Sequence, residues 1–137
     1  MDKIVLESKI ENIKKVIKFV NSKIEKNNFN EKAKIEIEIA IDELFGNIAK
    51  YAYGEEVGSV EVQAVVTENP LQVEITFIDS GVEYNPLERE APDIDANIHE
   101  RKIGGLGIFL ARKLMDDMKY DYKDGKNILT ITRRGDH

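Results

Sequence analysis

The chain reads as an α+β domain: a two-layer α/β sandwich with a mostly antiparallel, mixed sheet that carries its helices on one face. Two observations predict this. Apolar residues recur at three- and four-residue spacing over three segments, 10–24, 33–48 and 108–115, which marks amphipathic helices. β-rich runs come in adjacent pairs, 59–67 with 71–78 and 118–122 with 127–133, instead of alternating one by one with helices.

Residues 3–7 predict a short first strand, and from about Ile10 the period changes. Ile10, Ile13, Ile17, Val20 and Ile24 form the stripe of a first helix, expected to end near Asn27 and Asn28. Asn30 is the predicted N-cap of a second helix, with Glu31 favourable in its first turn. Its apolar stripe runs through Ala33, Ile37, Ala40, Ile41, Leu44 and Ile48, and Gly54 is expected to stop it after Tyr53. The next two runs make a hairpin about Glu68-Asn69-Pro70, whose composition favours a turn. Residues 80–103 show little periodicity and contain Gly81, Pro86 and Pro92; so long a connection in a compact domain is usually functional. Ile108, Leu110, Ala111, Leu114 and Met115 describe a third helix that starts at or within residues 105–108, and a closing hairpin turns at Asp124-Gly125.

At 137 residues the chain is expected to be one domain, spanning residues 1–137, large enough to bury a sizeable core. No apolar run approaches the roughly 20 residues that cross a bilayer, and no secretory signal opens the chain, so a cytoplasmic protein without a membrane role is expected. There is no cysteine, which removes disulfides and thiolate metal sites. Twenty Lys and Arg against 26 Asp and Glu leave a net charge of −6, which opposes direct nucleic-acid binding. A small anion could still be held locally by backbone N–H groups and a metal ion.

Three polar islands carry the chemistry. On the second helix Glu43, Asn47 and Lys50 share one face, opposite the apolar stripe. A carboxylate can act as general base, an amide oxygen can ligate a hard cation, and an ammonium can meet a phosphate. The same trio is also what a solvated helix face carries. Asp79 follows an apolar strand and precedes Ser80-Gly81, where a carboxylate could accept a hydrogen bond from an exocyclic amine or simply make a turn. Gly104-Gly105-Leu106-Gly107 opens the third helix, where free N–H groups and the macrodipole favour an anion. No P-loop or Rossmann spacing is present, and His99, alone in its loop, gives little support for zinc.

In order, spacing and context these islands resemble the N, G1 and G2 boxes of the GHKL ATPase superfamily, the Bergerat ATP-binding fold, over about residues 30–134. Tyr84-Asn85-Pro86 after Asp79-Ser80-Gly81 is similar to the free-standing branch, the RsbW-like anti-sigma factor serine/threonine kinases. The resemblance implies that Glu43 is the catalytic acid-base residue, that Asn47 binds Mg²⁺ and ATP, and that Lys50 lies near phosphate. It implies that Asp79 takes the adenine amine, with Gly81 and Tyr84 closing around the base. A lid would run over about residues 84–103, with Arg101 and Lys102 at its end. Gly104, Gly105, Leu106, Gly107 and Ile108 would hold the phosphates.

Two positions depart from the family pattern. Glu83 stands where many relatives have a second glycine, and Asn127 stands where many have a threonine near adenine, unless Thr130 takes that place. The implied function is an ATP-binding anti-sigma factor that phosphorylates a serine of a small anti-sigma factor antagonist in a bacterial partner-switching circuit. Its implied partners are a sigma factor, the antagonist and a second copy of itself as a homodimer, with ATP and Mg²⁺ as cofactors. The alternatives are a non-catalytic module gated by ATP and a stand-alone ATPase.

Overall fold

The computed structural model describes residues 2–88 and 105–137, with residues 105 and 106 described by their backbone alone. Five strands, β1 (Asp2–Glu7), β2 (Ser59–Glu68), β3 (Leu71–Asp79), β4 (Asp117–Lys123) and β5 (Lys126–Arg134), form one sheet in the order β1-β2-β3-β5-β4. Each neighbouring pair is antiparallel, so the sheet expected to be mostly antiparallel is wholly so among the described residues. The two tight hairpins account for β2–β3 and β4–β5. It is β5, and not β4, that pairs with β3.

Among the described residues three α-helices, α1 (Ile13–Ile24), α2 (Glu31–Tyr51) and α3 (Gly105–Leu114), cover one face. Period-2 burial shows which face that is: Val60, Val62, Ile75, Phe77, Leu129 and Ile131 point inward and are almost fully buried. They meet Val16 and Val20 of α1, Ile37, Ile41, Leu44 and Phe45 of α2, and Ile108 and Ala111 of α3. The opposite face carries alternating residues such as Glu61, Gln63, Glu74, Thr130 and Thr132, which keep it polar.

Local chemistry sets the element ends. Asn30 caps α2 as expected: its side chain accepts a hydrogen bond from Ala33 N at 2.7 Å. The regular helix stops at Tyr51, two residues before the expected end, and Gly54 takes a left-handed φ of 63° in the turn that follows. The first helix also begins later than expected. Ile10–Asn12 form a 3₁₀ turn because the Asn12 amide donates back to Glu7 O at 2.8 Å, tying the entry to the end of β1. At Asp124-Gly125 both residues have positive φ, 53° and 75°, the conformation that a two-residue type I′ hairpin turn requires.

One charged pair lies inside the helix–sheet interface, away from the cleft described below. Arg133 on β5, 3 % exposed, donates to Glu36 of α2 at 2.9 Å. Such a buried pair locks the approach of helix to sheet, because removal of either partner strands the other charge.

Candidate functional site

At the end of the sheet where β3 runs out and α3 begins, a cavity of about 230 Å³ opens between α2, the sheet and residues 82–86. Leu44, Ile48, Val82, Ile108 and Leu129 give it apolar walls, while Asn47, Asp79, Tyr120 and Asn127 supply polar groups. An apolar cavity with a few fixed polar points suits a heterocyclic ligand.

The α2 stripe that buries Leu44 and Ile48 brings Asn47, which lies between them, to the cavity edge. Its Oδ1 is buried and makes no hydrogen bond to any described residue. An unpaired buried acceptor costs free energy unless a ligand satisfies it. One turn earlier, Glu43 projects toward the first turn of α3. A Cβ placed on Gly107 would come within 3.0 Å of Glu43 Cδ and nearer still to its Oε2. Glycine is therefore what allows this carboxylate to lie against the helix start. The first N–H groups of α3 have no intrahelical acceptor, and the macrodipole there favours negative charge.

Asp79 ends β3 and is 5 % exposed. Its Oδ1 accepts from Gly81 N at 2.9 Å and from Asn127 Nδ2 at 3.0 Å, which leaves Oδ2 without a partner among the described residues. Burial pushes the carboxyl above its ordinary value, and the bonds from Asn127 and Gly81 pull it partly back. Gly81 has a steric reason of its own. Val82 N donates to Ala52 O at 2.8 Å, and a Cβ on Gly81 would collide with the backbone of Ala52. The loop after β3 thus closes on the end of α2, and that contact, on the protein side of the cleft, is what glycine serves.

Asn127 pairs with Asp79 across β3 and β5 and points inward, whereas Thr130, three residues on, lies on the other face and meets Thr76 Oγ1 at 3.2 Å. Asn127 is therefore the residue at the cavity. Tyr84 N donates to Asn127 Oδ1 at 3.1 Å, which draws Tyr84 into the wall. No sequence motif points to Tyr120. It occupies an inward position of β4 opposite Leu129, its hydroxyl donates to Asn127 Oδ1 at 2.5 Å, and burial pushes its pKa up. Alternation along β4 marks it as inward; only the strand order brings it to this cavity.

The structure thus gathers Asn47, Asp79, Tyr84, Ile108 and Asn127 in one cavity and sets Glu43 against Gly107. Gly105 begins α3. Lys50 is exposed and does not line the cavity, since three residues past Asn47 it has reached the last turn of α2. Arg101, Lys102, Gly104, most of the expected lid and the Leu106 side chain lie outside the described residues. Leu44, Ile48, Val82, Glu83, Pro86 and Leu129 also line the cavity, although no binding role is expected of them from the sequence. No helix among the described residues is long and apolar enough to cross a membrane.

Comparison with known proteins bears on this cleft. A family model described as a histidine kinase-like ATPase domain matches residues 6–133. Among curated relatives, the serine-protein kinase RsbW of Listeria monocytogenes serovar 1/2a is 32 % identical over 106 residues, covering 74 % of this chain and 66 % of the relative. The serine-protein kinase RsbW of Bacillus cereus strain 03BB102 is 35 % identical over 98 residues, covering 69 % of this chain and 60 % of the relative. The matches thus span 60 to 66 % of these relatives' length, less than two thirds. Among solved structures, the RsbU and RsbW domains of a Mycobacterium tuberculosis protein superpose with a TM-score of 0.66 at 17 % identity, covering 98 % of this chain and 32 % of that one. The histidine kinase domain of a blue-light activated kinase from Erythrobacter litoralis superposes with a TM-score of 0.58 at 14 % identity, covering 93 % and 61 %. These two likenesses concern the fold.

Proposed function

Because this chain belongs to the histidine kinase-like ATPase family, we propose that it binds Mg-ATP in this cleft and transfers the γ-phosphoryl group to a serine of a small protein antagonist, in the manner of an anti-sigma factor kinase. The observation that carries the reading is the buried, unbonded Oδ1 of Asn47 in the cavity that Asp79 lines, one helical turn from a carboxylate held against the start of α3. The relatives named as serine-protein kinases support the choice of acceptor.

The residues fit a magnesium ion carried in with the nucleotide. Mg²⁺ keeps several waters and takes one or two protein oxygens beside substrate phosphates, so a single orphaned amide oxygen is sufficient, and no cluster of acidic ligands is needed among the described residues. Bound there, it would neutralise phosphate charge. Asp79 Oδ2 accepts the exocyclic amine of adenine, and the apolar walls hold the ring. The N–H groups at the start of α3 hold phosphate oxygens, with Gly105 and Gly107 allowing close approach. Glu43 accepts the proton of the attacking serine hydroxyl, an arrangement that serves phosphoryl transfer through positioning. The wider role is release and capture of a sigma factor according to the phosphorylation state of the antagonist, by a protein acting as a homodimer.

Glu43→Gln tests the assignment. The variant should bind Mg-ATP within about threefold of the parent, yet its labelling of a serine in the antagonist co-purified from the native host should fall by about 10²-fold or more. Labelling that persists in the variant removes Glu43 as the base. Nucleotide binding without labelled serine in the parent favours a regulatory module gated by ATP, and phosphate release without any acceptor protein favours a plain ATPase.

A further inference from the structure

Asn127 lies at the cavity, yet its carboxamide has no capacity left for a ligand. An asparagine side chain offers two N–H donors and two acceptor lone pairs. Here Nδ2 donates to Asp79 Oδ1 at 3.0 Å and to Val82 O at 2.9 Å. Oδ1 accepts from Tyr84 N at 3.1 Å and from the Tyr120 hydroxyl at 2.5 Å. All four positions are taken by protein, and the side chain is 6 % exposed. Three of the partners matter to recognition: one is the carboxylate that faces the base edge, and two are backbone groups of the segment that forms a cavity wall. Resting on the nucleotide reading above, we infer that Asn127 is a positioning residue for base selection: it orients Asp79 and pins residues 82–84, and it makes no contact with the base itself.

The geometry also states which atom reads the base. Both protein donors to Asp79, Asn127 Nδ2 and Gly81 N, converge on Oδ1. That carboxylate is thereby held in one rotation, with Oδ2 as the acceptor for an exocyclic amine. A buried hydrogen bond that fixes one functional group through another acts on discrimination between ligands, because a ligand without the matching group gains nothing from the alignment.

The test compares ATP with inosine triphosphate, which lacks the exocyclic amine. Asn127→Leu keeps the approximate size and removes the two donors that hold Asp79 and Val82 without placing a second carboxyl beside Asp79. ATP affinity should fall by about tenfold or more while inosine triphosphate affinity stays within about threefold, so the preference for ATP collapses. In an Asp79→Asn background the same change should alter ATP affinity by less than about twofold, since the aligned carboxylate is already gone. Equal losses for both nucleotides would reduce Asn127 to scaffold and overturn the inference; losses that multiply in the Asp79→Asn background would make it a direct base contact and overturn it as well.

A second measurement needs no variant. In the parent protein both Asn127 carboxamide protons should exchange slowly with solvent before and after Mg-ATP is added, with no nuclear Overhauser contact to adenine ring protons. Such a contact overturns the inference. A parent protein that binds neither nucleotide overturns the underlying nucleotide reading, an outcome separate from binding with an unchanged preference in Asn127→Leu.

Discussion

Alanine at Gly107 should separate stability from catalysis. The new methyl group would lie within 3.0 Å of Glu43 Cδ and closer to Oε2, while the Glu43 Cβ, at 3.5 Å, is at ordinary contact distance. Only the far end of a flexible side chain is in the way, so the carboxylate has to swing aside by about 1 Å to reach normal van der Waals separation, and the backbone need not move. The stability cost of that swing is about 1 kcal/mol for an off-rotamer side chain, offset by the gain of about 1 kcal/mol when glycine in a helix becomes alanine. Tm should therefore remain within about 4 °C of the parent. Catalysis is far less tolerant. A misplacement of about 1 Å in a positioned group costs about 10²-fold in rate, or about 2.7 kcal/mol of transition-state stabilisation. Differential scanning calorimetry and single-turnover phosphoryl transfer with the antagonist protein measure the two quantities. A variant with parental Tm and transfer within about threefold of the parent would refute the reasoning, because Glu43 would then be displaced without consequence for the chemistry it is proposed to perform.

Gly81→Ala should do the reverse: its methyl group would meet Ala52 Cβ at 2.7 Å and the backbone of that residue closer still, none of which can turn away, so a loss of about 3 kcal/mol in folding stability is expected by chemical denaturation. An unchanged denaturation midpoint would mean that the loop after β3 does not need its contact with α2. Asp79→Asn should raise the Tm of the nucleotide-free protein near neutral pH and weaken ATP binding by about tenfold or more while leaving it measurable. The sign follows from burial, which raises the folded pKa of Asp79 above 3.8: the ionised group costs folding free energy above the folded pKa, and the cost is relieved as pH falls through that value, because the native state takes up the proton first. The Tm advantage of the variant should accordingly shrink as pH falls toward 3.8, and an advantage that is constant with pH would show that Asp79 is not titrating as its burial implies.

Much of the architecture was legible in local periodicity. The stripe from Ala33 to Ile48 specified α2 and its inward face, Asn30 specified its start, and Asp124-Gly125 specified a hairpin whose two residues take positive φ. Local spacing also placed Glu43 and Asn47 one turn apart. It could not tell which side of that face meets the sheet, and so it grouped Lys50 with them, although the helix carries Lys50 beyond the cavity to solvent. The register between Asn127 and Thr130 was open for a similar reason: both are polar β5 residues of opposite parity, and only pairing of Asp79 with Asn127 settles which turns inward.

By itself the amino-acid sequence determined the element types, the amphipathic faces, the glycines that open α3 and the chemical groups available to a nucleotide, because each depends on spacing within a few residues. Tertiary structure alone decided the rest. The strand order β1-β2-β3-β5-β4 brings Tyr120 to the cavity and seats Asn127 between Asp79 and Tyr84, residues 43 to 48 positions away along the chain. The close approach of α2 to α3 gives Gly107 its partner in Glu43. Those contacts arise from burying the two helices on one sheet face, a condition imposed by the whole core and carried by no local segment.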